Sequence, residues 1–242
     1  GIFHLGKPSS SPMYRENRWK FVESVNGTIA VLEMAKELGV KVVTASSSSL
    51  YNGLEPPHRE DMIIRPTDFY TEGRLIEERL AKVYHDLYGV RYAAMRFFSV
   101  YGPNEQYKKG FANLISQFIW MFMKNKSPVI FGDGEQRRDF IFVSDVVNAL
   151  VLAMEKNAVG IFNVGTGKSY SLNQAVAIIK KKMKVNIDPV YVENKIKNYV
   201  QVTQASTEKA ERELGFRAKT DIENGIEKTI SYYGKIGTIP DL

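Results

Sequence analysis

Cysteine is absent from all 242 residues, which excludes disulfides and thiolate metal sites and suits a reducing, cytoplasmic setting. Histidine occurs only at His4, His58 and His85, far apart and without helical pairing, so no metal site is expected. No apolar run approaches the roughly 18 residues of a membrane span, and no secretory signal opens the chain. Missing too is any glycine-rich strand–turn–helix of the kind that cradles a dinucleotide pyrophosphate. The run Gly165-Thr166-Gly167-Lys168-Ser169 does not fill that gap, because Phe162 stands where a phosphate loop needs its first glycine.

What is present describes an ordinary globular chain, 44% hydrophobic and 25% charged. The formal charge of +6 comes from basic residues spread along the sequence. Their densest run, Lys180-Lys181-Lys182, shares a helix with Ile178, Ile179 and Met183 and reads as a solvated face. No nucleic-acid or membrane partner is expected; the positive balance suits a small anionic substrate.

Apolar spacing predicts a short buried strand over 1–5, a turn at Ser9-Ser10-Ser11-Pro12, and a helix from about Arg18 to Leu38 stopped by Gly39. A strand over 41–45 follows, then a proline-held loop and a helix opening at Tyr70, whose stripe of Ile76, Leu80, Val83 and Leu87 keeps helical spacing up to Gly89. Tyr92 to Phe97 is the next strand, and this rhythm implies right-handed crossovers in a parallel sheet. Further on come a helix over 113–124, a strand over 129–131, a helix capped by Ser144 and a strand over 161–164. Ser171-x-x-Gln174 and Thr220-x-x-Glu223 read as capping boxes for two more helices.

The chemistry concentrates between Ala45 and Arg74. A serine cluster, Ser46 to Ser49, runs into Leu50-Tyr51, and Tyr70 opens the helix that carries Arg74 one turn on. Positions i and i+4 share a helix face, so phenol and guanidinium sit side by side. A hydroxyl that polarises an oxygen, a tyrosine that exchanges a proton and a cation that favours the phenolate make a proton-transfer set.

This pattern resembles the Ser/Thr…Tyr-x-x-x-Lys signature of extended short-chain dehydrogenase/reductases. It is most similar to NAD-dependent nucleotide-sugar epimerases and dehydratases, in particular the UDP-glucose 4-epimerase type. Later blocks continue the resemblance: Met95-Arg96-Phe97-Phe98-Ser99-Val100-Tyr101-Gly102-Pro103, Asn113-Leu114, and Val129-Ile130-Phe131-Gly132-Asp133-Gly134-Glu135-Gln136-Arg137-Arg138-Asp139-Phe140. Three departures stand out: Arg74 holds the family lysine position, Ser99 replaces an asparagine, and His4-Leu5-Gly6-Lys7 stands where His-Leu-Ala-Ala is usual. The chain begins at what resembles the family's fourth strand, so about the first quarter of a typical member is expected to lie outside it.

The resemblance implies an α/β fold, a Rossmann-like parallel sheet flanked by helices, with a smaller C-terminal α/β substrate-binding lobe. The division implied is 1–105 for the cofactor domain and 106–242 for the lobe, with 139–165 returning to the first. Ser47, Tyr70 and Arg74 would be catalytic. Leu5, Gly6, Asn26, Ser46, Tyr70, Arg74 and Phe97 would contact NAD, whose binding is expected to require the N-terminal segment. Ser99, Asn113, Leu114, Val129, Phe131, Arg138 and Asn198 would hold a UDP-sugar, with Val129 and Phe131 flanking the base and Arg138 on the diphosphate. The implied reaction is epimerisation through a transient 4-keto sugar. A dehydratase is the alternative, disfavoured because Ser48-Ser49 stand where that group carries Asp-Glu; an impaired binding or scaffold homologue is another. A homodimer through the 18–38 and 70–88 helices is also implied.

Overall fold

The computed structural model describes residues 1–195 and 199–240. In chain order the elements are β1 (Ile2–His4), α1 (Ser11–Glu16), α2 (Trp19–Leu38), β2 (Val42–Ser47), α3 (Phe69–Tyr88), β3 (Tyr92–Phe97), β4 (Ser99–Tyr101), α4 (Leu114–Met123) and β5 (Val129–Phe131). They continue with β6 (Arg137–Arg138), β7 (Phe140–Phe142), α5 (Val143–Glu155), β8 (Gly160–Val164), β9 (Tyr170–Ser171), α6 (Leu172–Met183), β10 (Val190–Val192), α7 (Glu208–Leu214) and α8 (Ile222–Ile236). Among the described residues no helix is long and apolar enough to cross a membrane.

Four parallel strands in the order β1-β2-β3-β8 form the main sheet. Among the described residues three two-stranded ribbons accompany it: β4 with β7 and β5 with β10, both parallel, and β6 with β9, antiparallel. Helices α2 and α3 pack on one face of the main sheet, where Leu32, Ala35, Ala81 and Tyr84 close over Val42, Tyr92 and Ala94. On the other face α5 and α7 bury Val146, Ala149, Ala153 and Leu214 against Val43, Met95 and Phe162. A separate apolar core gathers α4, α6 and α8 around Trp120, Ile119 and Ile226.

Four local expectations change. The serine-rich stretch is not only a turn, because α1 begins directly after Ser10 with Pro12 in its first turn, and Tyr14 is buried. Six residues are too few to show a helical period. The apolar stripe of α3 turns outward at its C-terminal end: Ile76 and Leu80 are half-buried but Val83 and Leu87 are 46% and 67% exposed, and the buried face carries Arg74, Glu77 and Glu78 beside Leu75, Ala81 and Tyr84. Those charges can lie inside because they find partners there, as the site shows below. Two caps shift, α5 being capped from Phe142 rather than Ser144, and α8 from Asp221, whose carboxylate accepts from the Asn224 amide. The Ser171–Gln174 capping box forms as expected. Strand β1 is less buried than expected, with Phe3 47% exposed, because among the described residues it is paired on one side only.

Candidate active site

A cavity of about 600 Å³ opens where the C-terminal ends of β2 and β3 meet α1, α3 and the loop before α4. Ser47, Tyr70, Arg74, Leu5, Phe97, Ser99, Asn113 and Arg138 all line it. Ser47 ends β2 and caps a short 3-10 turn, its Oγ accepting from the Ser49 amide at 3.1 Å. That leaves the Ser47 proton for another acceptor. Tyr70 sits in the first turn of α3, which is held by a capping box between Asp68 and Thr71 and by a hydrogen bond from Ser11 to Asp68. The Tyr14 ring meets Tyr70 edge-on at 5.4 Å, and both side chains are buried. The phenol is therefore fixed from two helices.

Arg74 does not point at the phenolic oxygen. Its guanidinium carbon lies 5.1 Å from the centre of the Tyr70 ring. Nη1 donates to Glu77 Oε2 at 2.7 Å and to Ser24 Oγ at 3.3 Å, and Nη2 donates to the Pro8 carbonyl at 2.5 Å. The same Glu77 oxygen accepts from Lys7 Nζ at 2.7 Å, while Lys7 also donates to Thr44 Oγ1. All three charged side chains are 3% exposed or less. Burial pushes the Lys7 ammonium down to about 8, with Glu77 opposing the shift. Burial also favours protonation of Glu77, but Lys7 and Arg74 outweigh it and hold the carboxyl below the usual range. One residue on, Glu78 takes a two-pronged contact from Arg96, Nε to Oε1 at 2.9 Å and Nη2 to Oε2 at 2.7 Å. Arg96 Nη1 also donates to Tyr51 Oη at 2.8 Å. Sequence reading missed Glu77 and Glu78; their signal was spacing, at three and four residues past Arg74 on the Tyr70 helix.

Three residues expected at the cofactor stand outside the cavity lining. Asn26 is exposed on the outer face of α2. Ser24 and Thr28, four residues apart, form the buried face instead, and Ser24 Oγ donates to Glu77; two residues on a helix turn a side chain about 200° away. Ser46 points to the opposite side of β2 from Ser47, as strand alternation requires, and its Oγ donates to Glu78 at 2.5 Å. Gly6 lies between cavity-lining Leu5 and Lys7 without lining the cavity.

On the substrate side the residues divide. Of the two adjacent arginines only Arg138 reaches the cavity; Arg137 turns away to Ser169 Oγ at 3.1 Å and the Ser169 carbonyl at 2.6 Å. Arg138 donates to the Arg137 and Gln201 carbonyls, lies 5.4 Å from the Tyr199 ring centre, and has no carboxylate partner among the described residues. Asn113 caps α4, with Oδ1 accepting from Ile115 N at 3.0 Å, but its own amide is taken by Glu105 Oε1. Leu114 packs against the Trp120 core instead of lining the cavity. Val129 and Phe131 are also outside the lining, 45% and 44% exposed on β5. Asn198 falls outside the described residues. Among the described residues no carboxylate lines the cavity, whereas Lys7, Arg74, Lys108 and Arg138 do.

The glycine run at 165–169 has an internal anion. Asp139, fully buried, accepts from Thr166 N, Thr166 Oγ1, Gly167 N and Ala205 N at 2.7–3.0 Å. A Cβ on Gly165 would stand 2.8 Å from the Asp139 carboxylate and 2.7 Å from Ala205, so only glycine fits. A nest of backbone amides that would suit a phosphate is filled by the protein's own carboxylate.

A parallel α/β sheet thus carries a serine at a strand end, a tyrosine on the next helix and a cavity whose charged lining groups, among the described residues, are all cations. The NAD dependent epimerase/dehydratase family matches residues 1–165, and the chain belongs to that family. It is 33% identical over 235 residues to the UDP-glucuronate 4-epimerase of Thermodesulfobacterium geofontis, covering 96% of this chain and 71% of that protein. The crystal structure of UDP-glucose 4-epimerase from Thermotoga maritima with UDP-glucose superposes with a TM-score of 0.93 at 30% identity, covering 98% of this chain and 78% of that one. MoeE5 in complex with UDP-glucose and NAD gives 0.90 at 31% identity, covering 98% and 80%. The residues present fit the nicotinamide end of NAD: Ser47 and Tyr70 stand beside apolar Leu5 and Phe97, and no described carboxylate opposes a phosphate.

Proposed function

We propose that the chain interconverts C4 epimers of a UDP-sugar with NAD as cofactor. The observation that carries this reading is the joining of Ser47 and Tyr70 in one cavity whose described charged lining groups are all cations. Ser47 Oγ, with one lone pair committed to the Ser49 amide, donates to the sugar oxygen at the reacting carbon. Tyr70 takes the proton of that hydroxyl and later returns one, while the Tyr14 contact and the α3 cap hold its ring in place. NAD supplies the hydride acceptor and donor when bound. Arg138, lacking a carboxylate, binds the diphosphate, with Ser99 and Asn113 as polar neighbours along the same wall. Val129 and Phe131 offer exposed apolar surface on β5 for the base, and Asn198 keeps its assignment from the family pattern. The acid-free lining works against a dehydratase, which needs a proton donor for departing water.

The test is incubation of the chain, joined to the N-terminal segment that NAD binding is expected to require, with UDP-glucose and, separately, UDP-glucuronate in the presence of NAD, with anion-exchange chromatography of the products. Formation of the galacto epimer supports the reading. A 4-keto-6-deoxy product, or no conversion while UDP still binds, overturns it.

We also read the exposed Trp19, Val22, Met34 and Leu38 of α2 with Val83 and Leu87 of α3 as the contact with a second copy of the chain. Light scattering at micromolar concentration should give a dimer mass; a monomer refutes it. The division into a cofactor unit over 1–105 and 139–165 and a substrate lobe over the rest belongs to the same proposal, as does the cytoplasmic setting that the cysteine-free composition suits.

A further inference from the structure

Lys7 and Arg74 are two of the positions where the chain departs from the family pattern, and the fold brings both onto one oxygen, Glu77 Oε2, at 2.7 Å each. Ser24 donates to the other Glu77 oxygen at 2.5 Å, so the carboxylate is held from α2, α3 and the segment after β1. Arg74 in turn covers the Tyr70 ring. Counting charge, two cations share one carboxylate, and the cluster keeps one positive charge behind the phenol. Without Lys7 the carboxylate would cancel Arg74.

We propose that Lys7 is a positioning residue that acts on Tyr70 through Glu77 and Arg74, satisfying the carboxylate so that the guanidinium charge still supports a phenolate. The departures at 7 and 74 are then one coupled change. A cation that replaces lysine with a fork binds a nearby acid more strongly, and a second buried cation offsets that acid. Other charged groups around the cluster do not do this. Glu78 is committed to Arg96 of β3. His4, at the end of β1, is pushed down to about 4 by burial and by Lys7, so it is neutral at working pH. Tyr14 of α1 is a phenol, and Thr44 of β2 and Ser24 of α2 are uncharged hydroxyls.

The inference rests on reading Tyr70 as the proton carrier, but its test needs neither substrate nor cofactor, so the two fail separately. Tyrosine-labelled protein is titrated by carbon-13 NMR, with the Tyr70 signal assigned by its loss in Tyr70→Phe. Lys7→Arg keeps a permanent charge and Lys7→Met removes it, so Tyr70 should titrate on the order of one pH unit lower in the first than in the second. Lys7→Met/Glu77→Gln, with Arg74 alone, should match Lys7→Arg. Should Lys7→Arg not fold, the comparison of Lys7→Met with the isosteric double variant decides on its own. Identical Tyr70 titration in those two variants overturns the proposal.

Discussion

The buried faces of α3 and α4 differ in their charge. Helix α3 turns Arg74, Glu77 and Glu78 inward together with apolar Leu75, Ala81 and Tyr84, whereas α4 buries Ile115, Phe118, Ile119, Trp120 and Phe122 with no charged residue. Apolar packing around Trp120 tolerates small shifts and stabilises in proportion to area. A charged interior does not tolerate them: each group must keep its partner, because an uncompensated buried charge is costly. The charged face is therefore the one that can fix Tyr70 and Ser47 relative to each other, and the apolar face of α4 supplies bulk stability to the core around Trp120.

The sharpest way to test this division is chemical. Tyr70→Phe should lower epimerase turnover roughly a hundred- to ten-thousand-fold, the usual worth of an acid–base group, with UDP affinity unchanged by calorimetry. A small drop would mean that the polar face holds something other than the proton carrier.

Stability tests should separate the two interiors next. Arg96→Met leaves Glu78 buried with only the Ser46 hydroxyl and should cost about 3–5 kcal/mol in urea unfolding. Adding Glu78→Met should recover most of that loss. In the apolar region Trp120→Ala should cost a similar amount, about 3–5 kcal/mol, but a further Phe118→Ala should deepen the loss. If the paired change at 96 and 78 recovers nothing, the network matters through shape rather than charge.

Smaller effects follow at the cavity rim and in the pH dependence. Arg138→Ala should weaken UDP binding by about 1.5–3 kcal/mol, the worth of a hydrogen bond to a charged group; unchanged affinity would make Arg138 a bystander. His4 is held near 4 in the fold against 6.5 when free, first by burial and then by Lys7. Between those values the unfolded chain binds more protons, so stability rises with pH from about 4 to 6.5. His4→Asn should flatten that part of a melting-temperature profile. The Glu77 contribution is separate, since its lowered pKa means stability is lost only as pH falls below about 4.5.

Much of the scaffold could be read from local order. The strand over Tyr92–Phe97, the Gly39 and Gly89 stops and the Ser171 capping box agree with the reading, and Ser47, Tyr70 and Arg138 line one cavity. The orientation of α3 could not be read that way. A regular apolar stripe shows that a helix is two-faced, yet not which face a sheet will cover when the other face can pair its charges internally. The same limit applies to Asn26 and Ser46, which stand outside the cavity lining because one or two residues decide the side of a helix or strand.

Local periodicity and turn chemistry act within a few residues, and they were enough to set the elements and the order of the reactive side chains. Contacts across the chain decided the rest. The Asp139 carboxylate fills the glycine nest at 165–167, and Lys7 meets Glu77 across 70 positions of sequence. Such pairs have no spacing to recognise, because their energies exist only once the sheet has brought its strand ends together and excluded water from between them.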